Sequence, residues 1–286
     1  MGQGGANRIA EFSVAVDGLD HAEDIVRGPD GLLYAGGEAG QVYRVDLEKG
    51  QVTELGSTGG ALLGIVLDGS GSAYVCDYRR QAVFRVRPTD GLVETYSTGT
   101  GEHPLRMPNG LAFASDGTLY VTDSGSPGGN DGLIYTVTPD GVTAVFTDVV
   151  RGYPNGVVVS PDENYLYFAE STLPGVSRVH INPDGSAGEY EVVVQMPGTF
   201  PDGVAFLEDG RLLVGCYQPD TIYLLTTDGD LTVLADDPSR MILNSPANLG
   251  FGGKNRDVVV AANLGRRHVS AANLGFRGLA LNYPVI

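Results

Sequence analysis

The sequence predicts an all-β fold, and more narrowly a six-bladed β-propeller. Three observations lead to this prediction: a repeat of 40 to 47 residues, several short apolar segments in each repeat, and an abundance of glycine. Internal repeats of this length are typical of propellers and related repeat architectures. The 42 glycines among 286 residues show no collagen period, so they indicate many tight turns between short strands.

The repeat is clearest where a short polar side chain precedes an apolar segment. It reads Met-Pro-Asn-Gly at residues 107–110, Tyr-Pro-Asn-Gly at 153–156 and Phe-Pro-Asp-Gly at 200–203. Aligning the apolar segment that follows in each repeat gives six equivalent opening positions: Glu23, Leu63, Asn109, Asn155, Asp202 and Asn248. Subtracting successive numbers gives spacings of 40, 46, 46, 47 and 46. Six repeats therefore fill the chain.

Each repeat is predicted to contain four antiparallel strands. In the third repeat, Ser115-Asp116-Gly117 separates the first two apolar segments, and Pro139-Asp140-Gly141 separates the last two. Asp-Gly between apolar runs is a strong hairpin signal. Four such strands in ~40–50 residues are typical of one propeller blade.

The sixth repeat lacks a fourth strand at its C-terminal end. Residues 8–16 alternate like an outer strand, so we expect this N-terminal strand to complete the last blade and to remove an open sheet edge. The segment 261–278 departs most from the repeat, and its near-duplicate sequence at 261–265 and 271–275 has no explanation at this level. Without a candidate boundary, the chain is predicted to be a single propeller domain, 1–286.

Charge and cysteine content limit the partners and the compartment. The net charge of −17 would repel phosphate backbones and anionic membrane surfaces, and it suits a cation or simply maintains solubility. Cys76 and Cys216 fall in different repeats, so we expect two buried free thiols. Residues 1–8 lack the apolar core of a signal peptide, and no apolar run approaches ~20 residues. We expect a cytoplasmic monomer or small homo-oligomer that acts on a small molecule, with neither nucleic acid nor membrane as a partner.

The six opening positions should form a ring at one end of the central channel, because the first strand of each propeller blade lines that channel. Five of the six carry a side-chain oxygen, and none carries sulfur or imidazole. Such oxygens are ligands of hard divalent cations, with calcium as the first candidate and magnesium, manganese or zinc as alternatives. A single Asn or Asp at a strand start commonly caps local backbone groups instead. The shared register of five oxygens favours the metal hypothesis.

The same residues resemble the sugar-lactonase family that includes regucalcin (senescence marker protein 30) and gluconolactonases. The resemblance is carried by Glu23, by Pro-Asn-Gly at Asn109 and Asn155, by Pro-Asp-Gly-Val-Ala at Asp202, and by Gly-Phe-Gly-Gly at 250–253. It extends from residue 22 to about residue 284.

This resemblance implies a six-bladed propeller with a divalent metal in its channel and a reaction that opens lactones. It implies that Glu23, Asn155 and Asp202 bind the metal and that Asn109 lies at the metal or contacts the substrate. The chain departs from the best-known sugar lactonases, which carry Arg where it has Met107 and Asp where it has Gly110, while Arg106 is displaced by one residue. A lyase, isomerase or phosphotriesterase reaction, or a metal-stabilised propeller that only binds ligands, therefore stays an alternative.

Candidate catalytic acids lie at the predicted ends of second strands, near the same face as the ring. Asp123 and Glu170 are candidate general bases, and Asp202 is a candidate both as metal ligand and as base. For Asp123 and Glu170, an ordinary solvated strand end is an equal alternative. The candidate substrate contacts are Asn109, Arg106, His103 and Asn248, with His103 in the loop that leads to Asn109. The sequence contains no Gly-x-Ser-x-Gly elbow, phosphate-binding Gly-Lys-Ser/Thr loop or Cys-x-x-Cys motif.

Overall fold

The computed structural model describes residues 7–286, and its strands form six four-stranded antiparallel sheets. The first three sheets contain β2 (Ile25–Arg27), β3 (Leu33–Gly36), β4 (Gln41–Asp46) and β5 (Gln51–Ser57); β6 (Leu62–Leu67), β7 (Ala73–Asp77), β8 (Ala82–Val86) and β9 (Val93–Ser97); and β10 (Pro108–Phe113), β11 (Leu119–Asp123), β12 (Leu133–Val137) and β13 (Thr143–Thr147).

The other three sheets complete the ring of six blades and confirm the predicted propeller. They contain β14 (Pro154–Val159), β15 (Tyr165–Glu170), β16 (Gly175–Ile181) and β17 (Ala187–Gln195); β18 (Phe200–Phe206), β19 (Leu212–Gln218), β20 (Thr221–Leu225) and β21 (Leu231–Asp236); and β22 (Pro246–Gly252), β23 (Val258–Asn263), β24 (His268–Ala272) and β1 (Ser13–Asp17).

The N-terminal strand completes the last blade, as predicted. β1 pairs antiparallel with β24, with Ser13 opposite Ala271 and Asp17 opposite His268. The strand is shorter than the predicted span 8–16, because Ile9–Glu11 form a 3-10 turn. The Arg8 backbone N–H donates to Leu234 O of the fifth blade (2.9 Å), so this part of the chain leaves the sheet of the last blade.

Six apolar cores hold the blades together, one between each pair of neighbours. Tyr74 of the second blade meets Phe113 of the third edge-on, with ring centroids 5.2 Å apart. Tyr167 of the fourth blade meets Phe206 of the fifth at 5.1 Å in the same way. Such aromatic contacts add to the area that each core buries.

Glycine follows the ring residue in four blades because the innermost strands approach closely there. A Cβ atom on Gly156 would lie 2.7 Å from both Asp202 O and Gly203 Cα, and one on Gly110 would lie 2.7 Å from Asn155 O. Only glycine allows this approach without pushing two blades apart. The Asn-Gly and Asp-Gly pairs therefore place a polar side chain and a close backbone contact together.

The C-terminal segment after β24 crosses the face of the disc opposite the ring. Residues 279–283 form part of the wall of the central cavity. Along this segment the Leu279 N–H donates to Phe206 O (2.9 Å), Tyr283 Oη donates to Arg27 O (2.8 Å), and the Gly69 N–H donates to Pro284 O (2.7 Å).

The divergent segment 261–278 has a simple place in this fold. Its near-duplicate sequences overlap the ends of β23 and β24, and residues 273–278 lead from β24 to the opposite face. We propose that the whole chain is one domain. The first six residues of the predicted span 1–286 lie outside the described part.

Candidate functional site

Five buried polar residues occupy equivalent positions around the channel, as the repeat predicts. They are Glu23, Asn109, Asn155, Asp202 and Asn248. Two direct contacts join neighbouring members of the ring: the Asn248 N–H donates to Glu23 O (3.0 Å), and Asn248 Nδ2 donates to Asp202 Oδ1 (3.4 Å). The structure therefore brings the fifth, sixth and first blades together at this end of the channel.

Serine side chains orient the amide of Asn109. Asn109 Nδ2 donates to Ser124 Oγ (3.1 Å), and Ser124 Oγ donates to Pro154 O of the next blade (2.7 Å). Because the Ser124 hydroxyl donates its proton to the Pro154 carbonyl, it can only accept a hydrogen bond from the Asn109 amide. This arrangement fixes the amide nitrogen towards the serine and leaves Asn109 Oδ1 as the free end.

The fourth blade repeats this arrangement. Asn155 Nδ2 donates to Ser171 Oγ (3.2 Å), and Ser171 Oγ donates to Pro201 O (2.7 Å). Within residues 7–286, neither Asn155 Oδ1 nor Asn109 Oδ1 has a hydrogen-bond partner, although both atoms are buried. A buried acceptor without a partner costs free energy, so these two oxygens are candidate ligand atoms.

Three carboxylates lie close together here: Glu23 and Asp202 of the ring and Asp24, which follows Glu23 in the chain. Their negative charges repel one another. Burial, with the charges of Asp202 and Asp24, raises the pKa of Glu23 well above its ordinary value. Burial and the charge of Asp24 raise the pKa of Asp202 to about 7, an effect that the Asn155 amide partly opposes. A cation at the ring would relieve this repulsion.

Asp24 also faces the channel, although the repeat did not predict it as a site residue. Burial raises its pKa to about 6, against the opposing effect of N–H groups of Ile65 (2.9 Å) and Ile25 (2.7 Å) that donate to its carboxylate. The signal was present: Asp24 stands where four other repeats have glycine. In the first blade, the Asp24 side chain takes the place of this close backbone approach. Its carboxylate accepts a hydrogen bond from the Ile65 N–H of the second blade.

Asp123 and Glu170 lie at the ends of second strands, as predicted, but both are buried anchors of loops. Asp123 accepts from the N–H groups of Arg106 (2.6 Å), Met107 (3.1 Å) and Gly125 (2.8 Å). These bonds fix the loop that leads to Asn109 and occupy the oxygens that a general base would use.

Both carboxylate oxygens of Glu170 likewise accept hydrogen bonds from the protein. Its Oε1 accepts from the N–H groups of Arg151 and Gly152 (2.7 Å each), and its Oε2 accepts from the hydroxyls of Ser177 (2.5 Å) and Tyr190 (2.6 Å). The repeat of this contact in two blades indicates a structural role. We therefore restrict the proposed general base to Asp202, because Asp24 likewise accepts backbone N–H groups with both of its oxygens.

Arg106 and His103 lie at the outer part of this face. Arg106 Nη1 pairs with Asp131 Oδ2 (2.5 Å) and its Nη2 donates to Asp131 O (2.6 Å), so the guanidinium is held by a neighbouring surface loop. His103 is exposed and uses its backbone atoms for contacts with Thr100 and Tyr135. Substrate binding by these two residues stays a prediction.

Two tyrosines missed in the sequence analysis lie near the acids. Burial and then the charge of Glu23 raise the pKa of Tyr153 to about 12. Burial, followed by the charges of Asp202 and Glu23, raises the pKa of Tyr217. Tyr153 precedes Asn155 by two residues, and Tyr217 lies near the end of β19, so the repeat register could have located both.

The ring fits a hard divalent cation. Glu23 and Asp202 would supply two negative charges, and the free oxygens of Asn109 and Asn155 would supply neutral ligands. Within residues 7–286, no three His, Cys, Asp or Glu side chains cluster as a metal site, so the amide oxygens are essential to this donor set. The donors are all oxygens, which favours calcium over zinc.

Beyond the ring the wall of the channel is mostly apolar, and the C-terminal segment forms part of that wall at the far end. The cavity has a volume of about 170 Å³ and is lined by the innermost strands and by residues 279–283. Ring and cavity thus define the class: a six-bladed propeller with a polar oxygen site at one mouth of an apolar channel. In the described part of the chain, residues 7–286, no helix is long and apolar enough to cross a membrane.

The chain belongs to the SMP-30/gluconolactonase/LRE-like family, whose model matches residues 26–262. The predicted resemblance is therefore confirmed. The chain is 28% identical over 225 residues to strictosidine synthase-like protein 6 of Arabidopsis thaliana, covering 71% of this chain and 57% of that protein. It is 24% identical over 237 residues to a gluconolactonase of Zymomonas mobilis, covering 75% and 63%. The chain spans about half the length of several curated relatives that it matches.

Solved structures share the fold at lower identity. A gluconolactonase of Xanthomonas campestris superposes with a TM-score of 0.78 at 20% identity, covering 94% of this chain and 89% of that one. Regucalcin of Agrobacterium tumefaciens, a calcium-binding protein, has a TM-score of 0.78 at 16% identity and covers 96% and 97%. A streptogramin B lyase has a TM-score of 0.67 at 15% identity, covering 96% and 100%.

Proposed function

We propose that this protein is a divalent-cation-dependent hydrolase that opens a lactone or a similar ester at the ring. The observation that carries the proposal is the pair of buried, unpartnered oxygens of Asn109 and Asn155, which lie in one ring with the Glu23 and Asp202 carboxylates. The gluconolactonase among the relatives supports a lactone as the class of substrate.

The residues have distinct parts in this proposal. Glu23, Asn155 and Asp202 hold the cation, with Asn109 as a further ligand or substrate contact. A calcium ion held there would polarise the carbonyl group of the substrate. Asn248 donates to Asp202 Oδ1 and so orients that carboxylate.

Asp202 is the proposed acceptor of the proton that the attacking water loses. Without a cation, burial and the charge of Asp24 raise the pKa of Asp202 to about 7. A cation bound beside Asp202 would lower this pKa, so the carboxylate would be ionised and able to accept a proton at neutral pH. Two buried free thiols, Cys76 and Cys216, fit the proposed cytoplasmic location.

The test measures acid release from a panel of lactones with a pH indicator. We expect activity in the wild type with calcium, and a loss of at least about 100-fold with chelator or in Asp202→Asn. Asp228→Asn is the matched control, because it removes one exposed carboxylate from a turn on the opposite face. Hydrolysis that survives both chelation and Asp202→Asn contradicts the proposal.

A non-hydrolytic reaction is the second candidate, because the relatives include strictosidine synthase-like proteins and the structural neighbours include a lyase. Both candidates use the same ring. Product analysis separates them: a lyase forms an unsaturated product without consuming water, whereas a hydrolase incorporates ¹⁸O from labelled water. A ligand-binding propeller would show calcium binding with neither product.

A further inference from the structure

One side of the mouth above the ring is aromatic and apolar. Tyr153 Oη contacts Met107 Sδ (2.9 Å), which joins the connections into the third and fourth blades. Tyr217 packs beside Phe200 of the fifth blade with ring centroids 5.6 Å apart. Tyr153 lies two residues before Asn155, and Phe200 lies two residues before Asp202, at the strand starts that carry the ring. An aromatic wall therefore borders the carboxylates.

Exposed apolar side chains extend this wall towards solvent. Phe200 is 37% exposed, and Leu173, in the β15–β16 turn, is 54% exposed. Leu173 packs on the connection into the fourth blade, where a Cβ atom on Gly152 would lie 2.6 Å from Leu173 Cβ. Large apolar side chains exposed near a polar site are typical of a ligand-binding surface.

The other side of the mouth carries charges that already have partners. His21 Nδ1 lies 3.2 Å from Asp20 Oδ1, Arg79 lies 3.7 Å from Glu38, and Arg267 lies 3.6 Å from Asp20. These groups belong to the first, second and sixth blades. These ion pairs, like Arg106–Asp131 of the third blade and Arg240–Asp220 of the fifth, pair charged groups of this face with one another.

We propose that the substrate carries an apolar aryl or alkyl group beside its reacting carbonyl, and that Phe200, Leu173 and Tyr217 bind that group. This inference rests on the proposed function, because it places the carbonyl at the ring. A polyhydroxylated ring would lose water at this wall without gaining hydrogen bonds in return. An apolar group instead gains affinity from the area that it buries.

The experiment compares 3,4-dihydrocoumarin with δ-valerolactone, two six-membered lactones that differ by a fused aromatic ring. We expect Phe200→Ala and Leu173→Ala each to lower kcat/KM for 3,4-dihydrocoumarin about fivefold to tenfold, mainly through KM. The value for δ-valerolactone should change less than twofold. Comparing each variant with the wild type cancels the different intrinsic reactivities of the two lactones.

Leu92→Ala is the matched control. Leu92 is 42% exposed but lies in the β8–β9 turn on the opposite face, so neither substrate should be affected. Equal losses for both lactones in Phe200→Ala and Leu173→Ala, or no loss for either, overturn the inference. A preference of the wild type for D-glucono-1,5-lactone over δ-valerolactone also overturns it.

Calorimetry with 3-phenylpropanoate in calcium buffer separates this inference from the proposed function. If no lactone is hydrolysed, the proposed function fails, whereas the apolar wall still predicts binding that weakens at least fivefold in Phe200→Ala. If lactones are hydrolysed but 3-phenylpropanoate binds the wild type and Phe200→Ala equally, the wall does not bind the apolar group. Circular dichroism of each variant confirms that its fold is intact.

Discussion

Asp202 has two properties that conflict in the absence of a cation. It is buried beside Asn248, and it shares the ring with Glu23, whose charge it repels. This arrangement costs folding free energy, as is common where groups are held ready for ligand binding. The cost should be measurable in the cation-free protein.

We expect Asp202→Asn to stabilise the cation-free protein and to abolish its stabilisation by calcium. Removing one charge relieves repulsion, and each kcal/mol gained raises Tm by about 2–4 °C in a protein of this size. The same change removes a charged ligand. Differential scanning calorimetry with chelator and with calcium tests both effects. This assignment would be contradicted if the variant had a lower Tm than the wild type in chelator and if calcium still raised its Tm by the same amount.

Asp123→Asn provides the contrast at the residue scale. Asp123 accepts three backbone N–H groups, so the change should cost about 1–3 kcal/mol both with chelator and with calcium. The calcium-induced shift in Tm should persist. If Asp123→Asn kept the wild-type Tm in chelator but lost the rise in Tm caused by calcium, Asp123 would lie at the cation instead.

The raised pKa values also predict the pH dependence of stability. An acid with a higher pKa in the folded than in the unfolded chain binds more protons when folded, so stability falls as pH rises between the two values. The pKa of Asp202 rises from 3.8 to about 7, and the pKa of Asp24 rises from 3.8 to about 6. With chelator, Tm should therefore fall from about pH 4 to pH 7. Excess calcium should abolish this fall in Tm, because it binds the ionised carboxylates. The same fall in Tm with excess calcium would contradict the proposed cation site.

The repeat register predicted the ring but not what each acid does. Glu23, Asn109, Asn155, Asp202 and Asn248 could be aligned because the blade repeats their position. The roles of Asp123 and Glu170 depend on loops that fold back onto them, and no local pattern reveals those contacts. The same holds for the Arg106 side chain, which the β11–β12 loop holds through Asp131.

At the scale of the element, the innermost strand is the unit that fixes the site. Its Asn-Gly or Asp-Gly pair opens the strand, turns a polar side chain to the ring and lets the neighbouring strand approach. The alternation and turn signals predicted these strands. The N-terminal strand was predicted in its place but too long, because residues 9–11 contact the fifth blade and leave the sheet.

Gly156→Ala should destabilise the protein by about 1–3 kcal/mol, because the new methyl group meets Asp202 O and Gly203 Cα of the next blade. Gly101→Ala is the matched control: no atom lies within 4 Å of the new Cβ, so its effect should stay within about 0.5 kcal/mol. Urea unfolding of both variants gives the comparison. Equal effects would show that the close approach of the innermost strands does not limit this position.

At the scale of the whole molecule, the two mouths of the channel differ. One carries the oxygens, and the C-terminal segment crosses the other, where it contacts several blades. Asn282 Nδ2 donates to Phe113 O (3.0 Å) and to Glu163 Oε1 (2.7 Å), which links the third and fourth blades. The sequence could not predict this contact, since the segment follows the last repeat.

Deleting residues 280–286 should lower Tm by several degrees and increase the fluorescence of an apolar dye, because the deletion uncovers the apolar channel wall. The calcium affinity should change little, since the ring lies at the other mouth. Asn282→Ala should give a smaller loss of stability in the same direction. A deletion that leaves both Tm and dye fluorescence unchanged would contradict a closing role.

We propose that oxygens from separate blades bind one cation on the channel axis. A crystal structure of the protein grown with excess calcium tests this proposal most directly. We predict a peak about 2.3–2.6 Å from oxygens of Glu23, Asn155 and Asp202. Those three side chains pointing apart, with only water on the axis, would contradict it.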